Sequence, residues 1–317
     1  MIGAHASRPH YWRHLAPIVA ELRARGHDVV ESTRDATARA TLADVEISLV
    51  ASSADARLLR GRDLVYVEHG AGQTYSTAPG HPGWPGGRGL DHVRLFICPG
   101  EHVATAWRAE YRATPIAVVG CPALDRRVTS AIKFLRRKSH RRVVAFSFHW
   151  RCGIAPEAYP ALEHYRAALP ATIAELRSRS IDVIGHGHPR YWRRLEPTWR
   201  AMGVEAVGDY EEVLDRAGVL VADNTSALYE FAALDRPVVC LNAPEYRRDV
   251  EHGLRFWSHV PGLQVDEPGD LVDGISTAIA DPGWARDLRS RAARYVYAQN
   301  DGRAAVRAAE AIEELTR

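Results

Sequence analysis

Short runs of consecutive apolar residues alternate along the chain with longer segments whose apolar residues recur at helical spacing. An uninterrupted apolar run of strand length is typical of a strand that is covered on both faces. The runs predict buried strands at 44–50, 63–69, 93–99, 116–122, 141–148, 181–187, 218–224 and 236–242. Helix-length segments include 9–25, 102–112, 158–179 and 225–234, and the C-terminal segments 269–280 and 283–315 also have a helical pattern. Strands and helices in alternation predict parallel sheets with right-handed crossovers.

The strands fall into two sets, which are separated by a basic stretch at 124–140. A chain of 317 residues is also long for one core, because domains usually contain roughly 100 to 200 residues. We therefore predict an α/β fold with two Rossmann-like domains, at 1–135 and 136–317, that face each other across a central cleft. The last helix is expected to cross back to the first domain.

Composition and charge exclude several classes of protein. Hydrophobic residues make up 46% of the chain and charged residues 25%, as in ordinary globular proteins. The net charge of +2 is too small to attract a nucleic acid or a membrane by itself. The four cysteines are widely spaced and match no zinc or disulfide pattern, and no segment approaches the roughly 18 apolar residues of a membrane span. A cytoplasmic protein, at most peripheral to a membrane, is expected.

A nine-residue pattern occurs twice, as PHYWRHLAP at 9–17 and PRYWRRLEP at 189–197, with six identical positions. Two interpretations stay open. Each copy opens a helix after a strand and directs its first turn at a ligand, as at the strand ends of doubly wound sheets. Alternatively, the aromatic pair is a packing device that holds a helix against its sheet.

The most informative segment follows the apolar run that ends at Asp223. Thr225 and Ser226 cover the turn before the next helix, where free backbone N–H groups and two hydroxyls are able to hold a diphosphate. Glu230 would face the same ligand if the helix begins near Thr225, and a carboxylate there suits a ribose diol. The alternative is that Asp223 and Thr225 only cap the helix.

Two further predicted strands are followed by histidine and arginine. FSFHWRC contains His149 and Arg151, and IGHGHPR contains His186, His188 and Arg190. These side chains are able to donate hydrogen bonds to phosphate oxygens. Each histidine alone is more often structural, but parallel strands end at one edge of a sheet. The sequence therefore predicts a phosphate-binding edge in the second half.

In the first half, YVEHGAGQ ends a strand with His69. A histidine with an ordinary pKa of about 6.5 is a neutral base at physiological pH, and the following glycines let an acceptor approach closely. Glu68 is expected to face elsewhere, because neighbouring strand residues point to opposite faces. His5 and His14 are weaker candidates. The Gly/Pro-rich segment 70–91 is expected to form an acceptor-site flap or to be disordered.

Other chemistry lacks support in the sequence. There is no D-x-D to hold a metal ion on a diphosphate, and no P-loop, G-x-G-x-x-G or G-x-S-x-G. We expect no metal and no cofactor beyond a donor cosubstrate. The basic run at 133–142 is either a solvated helix face or a site for an anionic or polymeric acceptor, such as a cell-wall polymer, a lipid-linked glycan or DNA.

The segments EHGAGQ, FSFHWR, GHGHPR and DNTSALYEFAALDRPVVCLN, in this order, resemble the CDP-glycerol glycerophosphotransferase (teichoic-acid polymerase-like) family. The resemblance covers about residues 63–250. It implies a GT-B fold and a transferase that moves a glycosyl or polyol-phosphate group from a nucleotide-diphosphate donor to an acceptor hydroxyl. The first domain would bind the acceptor and the second the donor.

The resemblance also implies roles for individual residues. The matching positions are His69 for the acceptor-activating histidine, His188 and Arg151 for the pyrophosphate, Thr225 and Ser226 for the phosphate-binding hydroxyls, and Glu230 for the ribose. Asn224 stands where the family has an aromatic residue, Thr225 replaces the first serine of its motif, and Glu230 replaces an aspartate. These departures leave the donor and the acceptor open.

Three alternatives remain. The nucleotide-sugar 2-epimerases share the two-domain layout, but this chain has Phe231 where their motif has a second acid. A glycosyltransferase acting on modified DNA bases would need a basic cleft. A non-catalytic nucleotide-sugar-binding protein would keep its only activity, binding, without His69.

Overall fold

The structure is a computed structural model that describes residues 1–73, 89–129, 142–153, 156–248 and 255–316. These residues form two compact units. Unit 1 contains the described residues of Met1–Thr74, Pro82–Thr129 and Arg294–Arg317, and unit 2 contains those within Ser130–Ala293. The basic run at 133–142, except Arg142, and residues 74–88 of the predicted flap lie outside the described residues.

Each unit is built on a six-stranded parallel sheet. Unit 1 has the strands Ile2–His5 (β1), Val29–Ser32 (β2), Ile47–Val50 (β3), Leu64–Val67 (β4), Val93–Cys98 (β5) and Ile116–Val118 (β6). Their order in the sheet is β2-β1-β3-β4-β5-β6. Unit 2 has Val143–Phe148 (β7), Asp182–Gly187 (β8), Glu205–Ala206 (β9), Val219–Ala222 (β10), Val238–Leu241 (β11) and Leu263–Val265 (β12). Their order is β12-β11-β10-β7-β8-β9.

The described α-helices connect and cover these strands. They are Pro9–Ala24 (α1), Asp35–Thr41 (α2), Ser53–Leu58 (α3), Glu101–Glu110 (α4), Asp125–Val128 (α5), Leu162–Tyr165 (α6), Leu169–Ser178 (α7), Trp192–Ala201 (α8), Tyr210–Arg216 (α9), Ala227–Ala233 (α10), Leu271–Ala280 (α11), Gly283–Val296 (α12) and Ala304–Thr316 (α13). Pro9 begins α1, where a missing N–H costs nothing. The parallel α/β architecture predicted from the apolar runs is confirmed.

Helices cover both faces of the sheet in unit 1. Leu15 of α1 and Ala308 of α13 are buried in one apolar cluster with β1, β3 and β4. Trp107 of α4 is buried in a second cluster, which includes Ala38 of α2 and Ala56 of α3. Because successive side chains of a strand point to opposite faces, β4 contributes to both clusters.

The core of unit 2 is tightest where α8 crosses β8. Trp199 of α8 is fully buried, and a Cβ atom built on Gly185 would lie 2.3 Å from its ring. A Cβ on Gly187 would lie 2.0 Å from Leu195. Only glycine therefore permits this helix to lie so close to the strand that ends beside His188.

Four strands and two helix interruptions differ from the sequence prediction. Strands β1, β2, β9 and β12 were not predicted, since they are short and rich in small or polar residues. The predicted helix 158–179 is interrupted between α6 and α7, and 283–315 is interrupted between α12 and α13. In the second interruption, Gly302 adopts a φ of 76°, which a helix does not allow.

All four cysteines are buried and unpaired by disulfides. Within the described part of the chain, no helix has the length and apolar character that crossing a membrane requires.

Candidate active site

His69 lies two residues after the end of β4, in a tight turn of unit 1. Gly70 and Gly72 adopt φ values of 69° and 66°, which glycine allows without strain. The His69 ring is partly exposed and packs edge-on against Tyr11 of α1, with ring centroids 5.0 Å apart. The turn therefore presents an imidazole at the carboxyl edge of the sheet, with an aromatic ring on one side.

His14 holds the backbone that follows His69. Its Nε2 accepts a hydrogen bond from the Gly70 N–H at 3.3 Å, which leaves the ring proton on Nδ1. Burial lowers the pKa of His14 well below its ordinary value, and the charges of Arg13 and His69 lower it further. His14 is thus a neutral positioning group.

Glu68 and His69 point to opposite faces of the sheet, as expected from the strand period. Glu68 is 6% exposed, and its Oε2 accepts a hydrogen bond from Trp107 Nε1 at 3.0 Å. Burial raises the pKa of Glu68 to about 8, against the weaker opposing effect of that hydrogen bond. Glu68 therefore does not orient the His69 ring and is largely protonated at neutral pH.

The predicted phosphate-binding segments of unit 2 follow three strands that are neighbours in the sheet. Strand β7 lies between β10 and β8, and all three run parallel. Asp223, His149 and His188 are therefore brought to one edge. The rings of His149 and His188 lie 5.1 Å apart, which gives this edge the convergence that the sequence suggested.

Asp223 connects two backbone segments at this edge through buried hydrogen bonds. Its Oδ1 accepts the His149 N–H at 2.8 Å, and its Oδ2 accepts the Ala161 N–H at 2.9 Å. The residue is completely buried, and burial raises the pKa of its carboxyl to about 7 in spite of those two bonds. Asp223 was predicted to contact the ligand, but its carboxyl instead faces the backbone, where it positions the end of β7 and the start of α6.

The three residues after Asp223 differ in how far their side chains are exposed to solvent. Asn224 is buried and donates from Nδ2 to the Glu157 carbonyl at 2.8 Å. Thr225 and Ser226 are partly exposed. The Thr225 hydroxyl accepts the Ala227 N–H at 3.4 Å, whereas Ser226 occupies the N-cap position without a capping bond from its side chain. These two hydroxyls are the groups that the turn presents to solvent.

Ser226 already has helical backbone angles, and the Thr225 carbonyl accepts the Leu228 N–H at 3.3 Å, so the first turn of α10 begins near Thr225 as assumed. Glu230 is 2% exposed and does not face solvent. The expectation that it faces a ligand at the start of the helix is not met in this structure, and a ribose contact would require the ligand to reach a nearly enclosed carboxyl.

His188 and Arg190 form the exposed part of the edge with Trp150. The His188 Nδ1 accepts the Arg190 N–H at 3.2 Å, so Nε2 carries the proton of the neutral ring and is able to donate. The Arg190 guanidinium lies 4.8 Å from the centroid of the Trp150 ring. A flat cation is thereby held next to an imidazole donor, as binding of phosphate oxygens requires.

Two histidines are less suited to phosphate than predicted. His149 is 5% exposed, and its Nδ1 donates to the Ala158 carbonyl at 3.4 Å, so Nε2 is left as an acceptor. His186 lies inside β8 rather than after it and shares a 2.8 Å hydrogen bond with Ser147. Burial lowers the pKa of each to about 4, so neither carries a positive charge at neutral pH.

Arg151 is exposed, with its guanidinium 4.6 Å from the centroid of the Tyr159 ring. Sequence reasoning missed a second arginine, Arg255, which is completely buried and donates to Asn242 and, at 2.7 Å, to the Leu241 carbonyl. Its charge lowers the pKa of Asp223, though less than burial raises it. Arg255 belongs to no recognisable motif, and a single arginine in a polar segment does not by itself indicate a function.

The repeated nine-residue pattern packs alike in the two units. Leu15 and Leu195, at matching positions, are both completely buried in their cores. Tyr11 and Trp12 pack against the apolar core of unit 1, and the matching Tyr191 and Trp192 pack against that of unit 2. These contacts support the packing interpretation.

Comparisons with known proteins bear on the family and the fold. Residues 87–314 match the family described as CDP-Glycerol:Poly(glycerophosphate) glycerophosphotransferase. No protein of curated function matches the chain.

Among solved structures, the wall teichoic acid polymerase TagF, in a crystal soaked with CDPG, has a TM-score of 0.70 at 13% identity. The match covers 99% of this chain and 88% of that one. MnaA from S. aureus, solved with UDP, has a TM-score of 0.66 at 13% identity and covers 99% and 95%. UDP-GlcNAc 2-epimerase from Neisseria meningitidis, bound to UDP-GlcNAc, has a TM-score of 0.59 at 11% identity and covers 99% and 98%. These similarities confirm the GT-B-like fold.

Proposed function

The chain belongs to the CDP-glycerol:poly(glycerophosphate) glycerophosphotransferase family, and from this we propose that it transfers a polyol-phosphate group from a CDP-glycerol-type donor to an acceptor hydroxyl. The observation that carries the proposal is the edge of unit 2 at which β10, β7 and β8 end together. Two partly exposed hydroxyls follow β10, and a guanidinium and an imidazole donor follow β8, at the same edge of the sheet.

Unit 2 would hold the diphosphate of the donor. Arg190 and the Nε2–H of His188 would bind its oxygens from one strand end, and the hydroxyls of Thr225 and Ser226 from another. Arg151 adds a second exposed guanidinium. Charge-assisted hydrogen bonds of this kind strengthen as negative charge builds on the leaving phosphate, which lowers the barrier to transfer.

His69 would act as the general base. The oxygen of the acceptor hydroxyl attacks the phosphorus that carries the polyol, and a new P–O bond forms while the bond to CMP breaks. The hydroxyl proton moves to the His69 ring, and the electron pair of the broken bond leaves with CMP. A neutral imidazole suits this step, and general base catalysis typically contributes about 10²- to 10⁴-fold in rate.

Donor specificity tests the proposal directly. CDP-glycerol, UDP-GlcNAc and CMP are added separately to the protein, and the unfolding temperature is measured for each. A ligand present at about 100 times its dissociation constant stabilises a protein by about 2.7 kcal/mol. We expect a shift with CDP-glycerol. A shift with UDP-GlcNAc alone would instead favour a sugar donor, and no shift with any of the three would contradict the proposal.

Variants separate donor binding from chemistry. Thr225→Val combined with Ser226→Ala is expected to weaken CDP-glycerol binding, because two donors of hydrogen bonds to phosphate are removed. His69→Ala is expected to preserve binding and to depress release of CMP in the presence of an acceptor by about 10²-fold or more. Thr198→Val, which removes a hydroxyl bonded only to the Arg194 carbonyl within α8, is the matched control. The reverse pattern would show that the roles of the two units are exchanged.

A further inference from the structure

Three side chains of unit 1 converge beside the carboxyl end of β1. His5 is the last residue of that strand, Asp35 begins α2, and Asp55 lies in the first turn of α3. The His5 Nε2 lies 3.3 Å from Asp35 Oδ1 and 3.8 Å from Asp55 Oδ1. One potential ligand atom from each residue falls within 4.8 Å of the others.

The surroundings of His5 determine which of its nitrogens carries a proton. His5 is completely buried, and its Nδ1 lies 3.0 Å from the Ser32 carbonyl oxygen. A carbonyl only accepts, so Nδ1 must carry the hydrogen. In the neutral ring, Nε2 then has a lone pair that faces two carboxylates.

That arrangement is electrostatically unfavourable as it stands. Nε2 has no hydrogen bond of acceptable geometry to any residue that the structure describes. A buried nitrogen lone pair directed at anionic oxygens calls for a positive charge between them.

We propose that His5, Asp35 and Asp55 bind a divalent transition-metal ion, of which Zn²⁺ fits best. Zinc binds imidazole nitrogen and carboxylate oxygen at about 2.0 to 2.2 Å, so two ligand atoms in a tetrahedral site lie about 3.4 Å apart. The two separations from Nε2 are close to that value. Imidazole favours zinc over the harder magnesium and calcium ions, which prefer oxygen alone.

Groups around the three ligands match those of known metal sites. A metal-bound histidine usually donates its other ring N–H to a carbonyl or carboxylate, as His5 does to Ser32. The second oxygen of Asp55 accepts the Ser7 N–H at 3.3 Å, which orients the carboxylate. Asp35 has a side chain that is 62% exposed, so the ion would have an entry path and an open coordination position.

The location of the proposed metal site suggests that a bound ion affects the turn that contains His69. Ser7 lies in the short connection from β1 to α1, and α1 carries Tyr11 and His14, which contact the His69 turn. A metal ion that fixes His5 and Asp55 would also fix the start of α1. The ion would thereby stabilise the surroundings of His69.

The test uses the full-length untagged protein, stripped of metal with a chelator and dialysed. Zn²⁺ is titrated calorimetrically, and Co²⁺ is added in parallel because its visible absorption reports a nitrogen and oxygen environment. We expect one ion per chain. Asp35→Asn and Asp55→Asn should each weaken Zn²⁺ binding by at least about tenfold and alter the Co²⁺ spectrum. The control Asp44→Asn, which changes an exposed carboxylate outside the site, should bind as the wild type does.

The exposed position of Asp35 keeps the test interpretable. Asp35→Asn should leave the unfolding temperature of the metal-free protein unchanged, so weaker binding cannot be attributed to misfolding. Absence of stoichiometric Zn²⁺ binding would overturn the proposal and would indicate a proton on Nε2 instead. Binding that both variants leave unchanged would place the ion elsewhere and overturn it equally.

Discussion

Replacing Glu68 by glutamine is expected to remove a large pH dependence from the stability of unit 1. Glu68 is a buried carboxyl that accepts a hydrogen bond from Trp107 Nε1, and burial raises its pKa from 4.5 to about 8. Glutamine has nearly the same shape and an oxygen that still accepts this bond, but it carries no charge at any pH. The substitution therefore removes the titration and keeps the packing.

The direction of the effect follows from proton binding. Between pH 4.5 and about 8 the folded chain holds a proton on Glu68 that the unfolded chain has lost, so the free energy of unfolding falls as the pH rises. One pKa unit corresponds to about 1.36 kcal/mol, and the difference between 4.5 and about 8 corresponds to about 5 kcal/mol. This contribution is complete below pH 4.5 and is lost as the pH passes through about 8.

Glu68→Gln and the wild type should therefore be about equally stable near pH 5, and the variant should be more stable by several kcal/mol near pH 9. Urea unfolding across this range measures the difference, in which all other titrating groups cancel. Because a chain with two units need not unfold in one step, hydrogen exchange of the β4 amides should follow unit 1 separately. Glu110→Gln, an exposed change on α4, is the matched control.

A constant difference between Glu68→Gln and the wild type from about pH 5 to about pH 9 would refute the reasoning. It would mean that Glu68 titrates alike in the folded and unfolded chain. The carboxyl would then be ionised beside His69 at neutral pH, and its burial against Trp107 would have another cause.

Three further outcomes are expected in unit 2. Gly185→Ala should lower the free energy of unfolding by about 1–3 kcal/mol, because the new methyl group meets the Trp199 ring; unchanged stability in urea would show that α8 is free to move away. Asp223→Ala should lower the free energy of unfolding by about 1–3 kcal/mol for each of the two N–H groups left without an acceptor, those of His149 and Ala161. Asp223→Asn should lower it by less, and an equal decrease for the two variants in urea would argue against the paired hydrogen bonds. The NMR signals of the His149 ring should stay constant down to about pH 5 and move only near pH 4, whereas a midpoint near 6.5 would show that the ring is solvated.

The apolar runs were sufficient to predict the two parallel sheets. The cores of the predicted segments, such as 64–67 and 219–222, are apolar throughout, and a run of that length is typical of a strand covered on both faces. Strand β1 was missed because IGAH contains small residues and a histidine. It is buried because it lies between β2 and β3, which is a property of the sheet order and not of the four residues.

The position of a residue relative to a strand or helix end was harder to predict. His186 and His188 occupy one motif, yet His186 is inside β8 with a pKa of about 4 and His188 is outside it and partly exposed. Glu230 is turned inward although the first turn of α10 begins near Thr225 as assumed, because the side of a helix that is buried depends on how the helix packs. Errors of one or two residues are inherent in reading boundaries from sequence, and the exposure of a side chain depends on them.

Residue types and their order along the chain thus indicated the fold, the family and the strand ends at which we propose that the chemistry takes place, because burial on two faces and strand-end motifs leave local patterns. Folding alone decided the contacts between distant segments. Asp223 meets the backbone of Ala161, and His5 meets Asp35 and Asp55, although tens of residues separate them. Such contacts arise from the order of strands in the sheet, and no local sequence pattern shows which residues that order brings together.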